Sequence, residues 1–539
     1  MRHQDRVTSA AGGSIERLAL LGSVFFVAFC NPNFWQVMAT PDRLARASGW
    51  AFLAASAVAL VAVHFILLSL LLNRWTWRWL SPVLLVATAF AVYYMTRYHV
   101  YLDPTMLRNV IATDVREARD LMAWSLLPYL LGYAVIPIWW LRRYRVAPRP
   151  LGSALARRLM FIGLAVVLGA GAVMAVFQEM ASTMRNDKAL RYLVTPANYL
   201  YSLGRVAVGS AKTADGKRAP VGEDAVAGAR LQAAGKPVVL VMVVGETARA
   251  ANWGLSGYAR QTTPELAKAG VINFADVTSC GTNTETSLPC MFSALGRRQY
   301  DEDRIRGSES LLDVVARAGF RVVWIDNQSG CKGVCNGVES LRTECAGGEC
   351  MDAALVDRMK GVIAATPGNL MIVLHQMGNH GPAYFKRYPS EFELFKPACA
   401  VADLARCERE AIVNAYDNAI AYTDHVLAQA LQELKTLKSH APAFLYVSDH
   451  GESLGENGLF LHGIPYAIAP ETQMKVPMVM WLSDAFRQRF GVRAGCLEQR
   501  AGQAVTHDHL FHSILGLLDV QTQVYEPVMD LAHACRSAS

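Results

Sequence analysis

The stretch SDHGESLGENGLFLHG sets Asp449 and His450 side by side, with His462 twelve residues further on. Other candidate ligands close apolar runs elsewhere: Glu246 ends VVGE, and His375 and His380 frame HQMGNHGP. Two carboxylates, an imidazole and a hydroxyl oxygen make a four-coordinate zinc site. The mixed oxygen and nitrogen set suits zinc or manganese rather than copper. A hydroxyl is at hand in SCGTNTETSLPCMFS, residues 279–293, where Thr282, Thr284 and Thr286 stand between Cys280 and Cys290. A threonine hydroxyl is a poor nucleophile at neutral pH, and metal coordination favours its alkoxide. Each of these residues also has a structural role open to it. A Glu or His at a strand end is commonly a hydrogen-bonded support, and Asp-His-Gly-Glu alone can be a turn. The metal reading gains weight because three strand ends supply ligand-type residues within one fold.

The elements that would position these residues begin at Lys236. From there short β-branched runs alternate with helical stretches: PVVLVMVVGE, GFRVVWIDN, NLMIVLHQMG, APAFLYVSDHG and VPMVMWLSD. Such runs read as buried parallel strands of an α/β layered domain. In those sheets chemistry gathers at the carboxyl ends of the strands. Glu246, Asp326, His375 to His380, and Asp449 with His450 all fall there.

The 539 residues, 53% hydrophobic, exceed one domain. Residues 1–180 hold 17 arginines, no lysine and 8 acids, a local charge of +9, while the remainder is near neutral. The overall +7 is therefore no nucleic-acid signature. It belongs to arginines flanking five long apolar runs, near Leu18–Met38, Trp50–Leu72, Leu80–Tyr98, Leu121–Leu141 and Leu159–Phe177. These read as membrane spans. The first is interrupted by Asn31, Pro32 and Asn33. A cleaved signal peptide is its alternative, but no small-residue cleavage site follows Cys30. Alternate connecting segments carry 11 arginines against 6 in the other two, and the richer set is expected in the cytoplasm. An odd number of spans then puts everything after Phe177 outside.

Ten of the eleven cysteines lie beyond residue 279, in that expected exterior: Cys280, Cys290, Cys331, Cys335, Cys345, Cys350, Cys399, Cys407, Cys496 and Cys535. An even set there fits disulfides in an oxidising compartment. Sequence leaves the pairing open, and neighbour pairing is the expectation. A zinc site on Cys331–Cys335 and Cys345–Cys350 is the rival, disfavoured by an oxidising exterior. The expected division is a transmembrane domain over 1–180, an interfacial helix and linker over 181–235, and a catalytic α/β domain over 236–539. Basic residues mixed with Tyr192, Tyr199 and Tyr201 suit the bilayer interface in the middle part.

GETAR, SCGTNTETSLPCMFS, DNQSGCKGVC, HQMGNHGP and SDHGESLGENGLFLHG occur in this order along the chain. In this the sequence resembles the phosphoethanolamine transferases that modify lipid A, over essentially its whole length. The resemblance implies a five-helix transmembrane domain and an alkaline-phosphatase-like (sulfatase-like) periplasmic α/β domain with a mainly parallel sheet. It implies a multi-pass protein of the bacterial inner membrane, its catalytic domain in the periplasm. The implied reaction carries phosphoethanolamine from phosphatidylethanolamine to lipid A through a phosphoethanolamine-threonine adduct, with polymyxin resistance as the usual consequence. The second threonine of Cys-Gly-Thr-x-Thr, the family's nucleophile, is Thr284 here. The family's zinc ligands match Glu246, Thr284, Asp449 and His450. Its phosphate-side histidines, which in some members hold a second zinc, match His380 and His462. Its headgroup contacts match Asn109, Thr113 and Glu117 in LRNVIATDVREA, and Ser329 and Lys332 in QSGCKG. Glu285 departs from the pattern, since the family commonly has a smaller residue beside the nucleophile. Without the resemblance, Lys332 reads as a surface lysine, and Asn109 and Thr113 as parts of a helix cap.

Two other classes compete. A membrane phosphoglycerol transferase, or a hydrolase of the sulfatase type, shares fold and metal logic, but a sulfatase needs a modifiable Cys or Ser in a Cys-x-Pro-x-Arg setting that Thr284 lacks. A transporter or metal-binding sensor is the non-enzymatic reading. Few ionisable groups inside the spans argue against transport, His64 being the one of note. The expected partners are the phosphatidylethanolamine donor, the lipid A acceptor and the membrane itself, with no nucleic acid and the protein a monomer.

Overall fold

The computed structural model describes residues 13–113, 118, 121–186, 188–213, 218–345 and 350–536. The chain forms two compact units. One comprises the residues up to Leu107 with Trp124–Val206, the other Arg108–Ala123 with everything from Ala207 onward.

In the first unit, four described helices are long and apolar enough to cross a membrane: Ala47–Leu71, Trp77–Tyr98, Trp124–Arg143 and Leu151–Ala175. A fifth span results if Ile15–Phe29 and Pro32–Met38, bent by 60°, are counted as one. The bend has a cause in the sequence. Pro32 cannot continue the helical ladder, and Asn31 meets the freed backbone groups with its own amide. Its Nδ2 donates to Phe26 O at 2.8 Å, and its Oδ1 accepts from Thr195 N at 2.6 Å. A break at this depth is tolerated where side chains satisfy the opened backbone. His64 joins the same knot, with Nδ1 2.7 Å from Leu60 O and Nε2 3.1 Å from Thr195 O. Leu159, Val166, Val167 and Leu168 stay exposed on Leu151–Ala175, a surface that calls for hydrocarbon rather than water.

The second unit is built on a seven-stranded sheet. Its strands are β1 (Val238–Gly245), β2 (Ile272–Phe274), β3 (Arg321–Asp326), β4 (Glu339–Arg342), β5 (Leu370–His375), β6 (Ala441–Ser448) and β7 (Met478–Leu482). The spatial order is β2-β7-β6-β1-β5-β3-β4. The stretch from β6 to β4 is parallel throughout, whereas β7 runs antiparallel to both its neighbours. VPMVMWLSD, expected as one more parallel strand, is thus an antiparallel one. After β6 the chain stays at the carboxyl end to build loops, and Ser448 N donates to Pro477 O there. It therefore re-enters the sheet from that end and must run back. All eight residues of β1 and of β6 are buried, which is why they read as unbroken apolar runs. On one face Leu240, Met242 and Val244 share a core with Leu312, Phe486 and Phe511. By strand alternation, Val239, Val241 and Val243 are buried on the other.

Four helices matter for the site: α1 (Thr284–Met291), α2 (Glu302–Arg306), α3 (Arg409–Thr436) and α4 (Asp508–Leu517). Val226–Ala227 pairs with Val520–Gln521, so the chain is already tied into this unit before Lys236. Five disulfides join Cys280–Cys290, Cys331–Cys335, Cys345–Cys350, Cys399–Cys407 and Cys496–Cys535. With their sulfurs bonded to each other, none of these offers a thiolate to a metal.

Candidate metal centre and nucleophile

Two strand ends and one helix start meet at the carboxyl edge of the sheet. Glu246 follows β1, Asp449 and His450 follow β6, and Thr284 opens α1. Asn283 caps that helix, its side chain accepting from Thr286 N at 2.9 Å. This fixes the first turn and points the hydroxyl of Thr284, itself 4% exposed, at the strand ends. Thr284 Oγ1 donates to Glu246 Oε2 at 3.1 Å and lies 3.4 Å from His450 Nε2. His450 Nε2 is 3.5 Å from Glu246 Oε1 and 3.4 Å from Asp449 Oδ2.

These separations are those of a ligand shell. A tetrahedral site with metal–ligand bonds near 2.0–2.1 Å has edges of about 3.3 Å. The orientation of each donor agrees. Asp449 Oδ1 is held by the backbone amides of Thr247 (3.2 Å) and His450 (2.8 Å), and Oδ2 has no hydrogen-bond partner among the described residues. His450 Nδ1 faces Gly451 O at 2.9 Å, so it carries the proton and leaves the Nε2 lone pair turned to the carboxylates. Lone pairs converging in a buried place are costly unless a cation shares them. The residues present therefore fit a zinc ion.

His462 extends the group. A donor atom of its imidazole lies with those of Glu246 and His450 inside a 4.8 Å cluster. Its ring centroid is 4.3 Å from that of His450 and 5.9 Å from that of His380. Burial pushes His462 down to about 4. Burial, and then the nearby Arg387 charge, push His380 well below the ordinary histidine range. His450 is lowered as well, chiefly by burial. All three imidazoles are thus neutral at pH 7. His380 Nδ1 is buried without a hydrogen-bond partner among the described residues.

Ser329 and Lys332 form a neighbouring group, with Lys332 Nζ donating to Ser329 Oγ at 2.7 Å. The Lys332 side chain is only 5% exposed, with Nζ 3.5 Å from Glu285 Oε1. Asn109 and Thr113 make a local pair, Thr113 returning both its amide and its hydroxyl to Asn109 O at 2.8 Å. No described hydrogen bond links them to the zinc-type cluster. Glu117 lies outside the described residues.

A family model described as "Sulfatase" matches residues 239–520, and one for "Phosphoethanolamine transferase EptA/EptB" matches residues 60–211. Phosphoethanolamine transferase EptA of Escherichia coli K12 is 35% identical, across 96% of this chain and 97% of its own length. Phosphatidylethanolamine transferase Mcr-1, from Escherichia coli, is 36% identical over 94% and 96%. The full-length lipooligosaccharide phosphoethanolamine transferase EptA of Neisseria meningitidis superposes with a TM-score of 0.89 at 34% identity, covering 98% and 99%. The chain belongs to the EptA/EptB phosphoethanolamine transferase family.

Several side chains outside the expected ligand set support it in this family member. Gln328 Nε2 donates to Glu246 Oε2 at 2.6 Å and fixes the carboxylate beside Thr284. Glu452 is fully buried and lies 3.3 Å from His462 Nδ1. Burial raises its carboxyl well above the usual range. Its signal was its place in Asp-His-Gly-Glu. Thr247 adopts φ +53°, uncommon for a β-branched residue. Its amide holds Asp449, and its carbonyl accepts from Tyr416 OH on α3 at 2.6 Å. Glu285 is buried between two cations: Arg306 Nη2 on α2 at 2.8 Å and Lys332 at 3.5 Å.

Proposed function

We propose that this chain transfers phosphoethanolamine from phosphatidylethanolamine to a phosphate of lipid A, through a covalent adduct on Thr284, and so lowers polymyxin binding. The carrying observation is the Thr284 hydroxyl, fixed at the start of α1 at 3.1 Å from Glu246 and 3.4 Å from His450. The printed names of relatives support the reading. Several are phosphoethanolamine transferases, and one 28% identical over 85% of this chain is a Kdo(2)-lipid A phosphoethanolamine 7''-transferase. The setting is a bacterial inner membrane crossed several times, with the second unit in the periplasm and the protein a monomer.

Glu246, Thr284, Asp449 and His450 would hold one zinc ion, and His380 with His462 would line a second position. Bound zinc supplies positive charge that eases ionisation of the threonine hydroxyl and draws charge from phosphoryl oxygens. The chain's own groups do the rest. Glu246 Oε2 orients the hydroxyl by accepting its hydrogen bond. The N-terminal turn of α1 turns the positive end of its peptide dipoles toward the incoming phosphate. Thr284 Oγ1 gives its proton to Glu246 Oε2 and forms a bond to phosphorus as the bond to the diacylglycerol oxygen breaks, and that oxygen takes up the proton. His380 and His462, neutral and facing this side, are the groups placed to pass it. Lys332, held by Ser329, adds positive charge near the phosphoryl oxygens. In the second half a lipid A phosphate hydroxyl oxygen bonds to the same phosphorus, the Thr284–phosphorus bond breaks, and the acceptor's proton passes to Thr284 Oγ1. Asn109, Thr113 and Glu117 would meet the donor headgroup.

Incubating the purified, zinc-replete protein with phosphatidylethanolamine and measuring intact mass tests this reading. The expected result is one added phosphoethanolamine, mapped to Thr284 and absent from Thr284→Ala. Neither adduct nor released diacylglycerol would overturn it.

A further inference from the structure

At one end of the helical unit the described residues line a half-open cavity of about 570 Å³, none of them a residue assigned above. Its walls are the start of Ile15–Phe29, the turn around Asn73–Trp77, and residues 146–149 with the opening turns of Leu151–Ala175. Four arginines line it, Arg74, Arg78, Arg149 and Arg158, and one acid, Glu16. Glu16 is 3.4 Å from Arg149, so the lining carries three net positive charges. Arg74 lies over the Trp75 ring at 4.1 Å and Arg78 over the Trp77 ring at 5.4 Å.

The backbone under these charges is tied together. Gly13 N donates to Arg145 O at 2.8 Å, Ala147 N returns to Gly13 O at 3.1 Å, and Tyr144 OH donates to Ser14 O at 2.9 Å. Two connecting segments thus bring their arginines, Arg74 with Arg78 and Arg149 with Arg158, onto one concavity, and the first helix adds Glu16 beside them. The wall then continues into apolar surface, with Trp75, Leu151 and Leu155 each about 60% exposed. Both segments belong to the arginine-rich set that faces the cytoplasm.

We propose that this cavity binds the headgroup of an anionic glycerophospholipid, such as phosphatidylglycerol, from the cytoplasmic leaflet. Guanidinium groups pair with a phosphodiester bidentately, and basic pockets between membrane helices on that face take anionic headgroups. The exposed leucines and tryptophan give acyl chains a place beside it. A zwitterionic headgroup would bring an ammonium among the arginines, so the phosphatidylethanolamine donor is the wrong ligand here. The site is independent of the transfer reaction.

Native mass spectrometry of the delipidated full chain in detergent tests the assignment, with phosphatidylglycerol, phosphatidylethanolamine and glycerol phosphate as probes. Phosphatidylglycerol is expected to bind roughly fivefold or more tighter than phosphatidylethanolamine, the worth of about one basic contact. The preference should vanish in the Arg74→Gln/Arg149→Gln/Arg158→Gln variant. Removing arginines also bears on insertion, so Gly152→Trp keeps every charge and fills the space instead. A side chain there meets nothing within 4 Å at its first carbon. This variant should keep its melting temperature and lose the preference. Equal binding of the two lipids, or a preference that survives Gly152→Trp, would overturn the proposal. So would glycerol phosphate displacing the lipid at equal concentration, which would make the occupant a soluble phosphate ester.

Discussion

Glu285 sets a buried negative charge beside Thr284. It is buried at 4% exposure with Arg306 and Lys332 on either side. Taking away one member of a buried charged group leaves the others uncompensated. Glu285→Ala should therefore lower the melting temperature by roughly 5–10 °C in a thermal scan of the detergent-solubilised protein. Glu285→Gln, which keeps a hydrogen bond to Arg306, should fall between. His507, just before α4, gives a pH test. Its Nδ1 accepts from Cys280 N at 3.1 Å, and burial pushes it down to about 4 from 6.5. In that window the unfolded chain binds a proton that the folded chain does not, so stability falls as pH drops from 6.5 toward 4 and is fully present above. Melting temperature against pH should lose part of its slope in His507→Asn, whose amide oxygen can still accept from Cys280. An unchanged slope would remove His507 from the account.

The elements around the site work by close approach. Gly378, in the loop after β5, adopts φ +52°, and a Cβ there would stand 2.7 Å from Glu246 O. Gly378→Ala should displace the Glu246 turn and reduce zinc retention by about 10- to 100-fold, as loss of ligand support does elsewhere, read as metal content after dialysis. How far all this was legible depended on periodicity. β1 and β6 announced themselves as unbroken apolar runs, and the rule that chemistry sits at strand carboxyl ends led to Glu246, Asp449 and His450. The direction of β7 was not legible, because a buried strand reads the same either way. Gln328 and Glu452 escaped for a related reason. A side chain that supports a ligand across the fold is fixed by tertiary distance, and 82 residues separate Gln328 from Glu246. Only the resemblance separates Thr284 from Thr282 and Thr286, since no spacing rule does.

At the scale of the whole molecule, the two units draw their stability from different solvents. Exposed leucines and valines on the spanning helices need hydrocarbon, while the sheet buries its own apolar surface and adds covalent ties. Those ties should differ in worth. Cys496–Cys535 spans 39 residues and Cys331–Cys335 only 4. Chain entropy assigns the first about 4 kcal/mol and the second about 2 kcal/mol. Replacing Cys496 and Cys535 by serine should thus lower the melting temperature more than replacing Cys331 and Cys335, with the order checked by parallel thermal scans. The bridges share a further property, since each joins a cysteine to the next one along the chain, and no loop crosses another. A chain threaded outward from its amino terminus can therefore close every bridge as the second partner emerges, with no early cysteine left waiting while others pass. Oxidation alone should yield the correct map, and a disulfide isomerase would have nothing to correct.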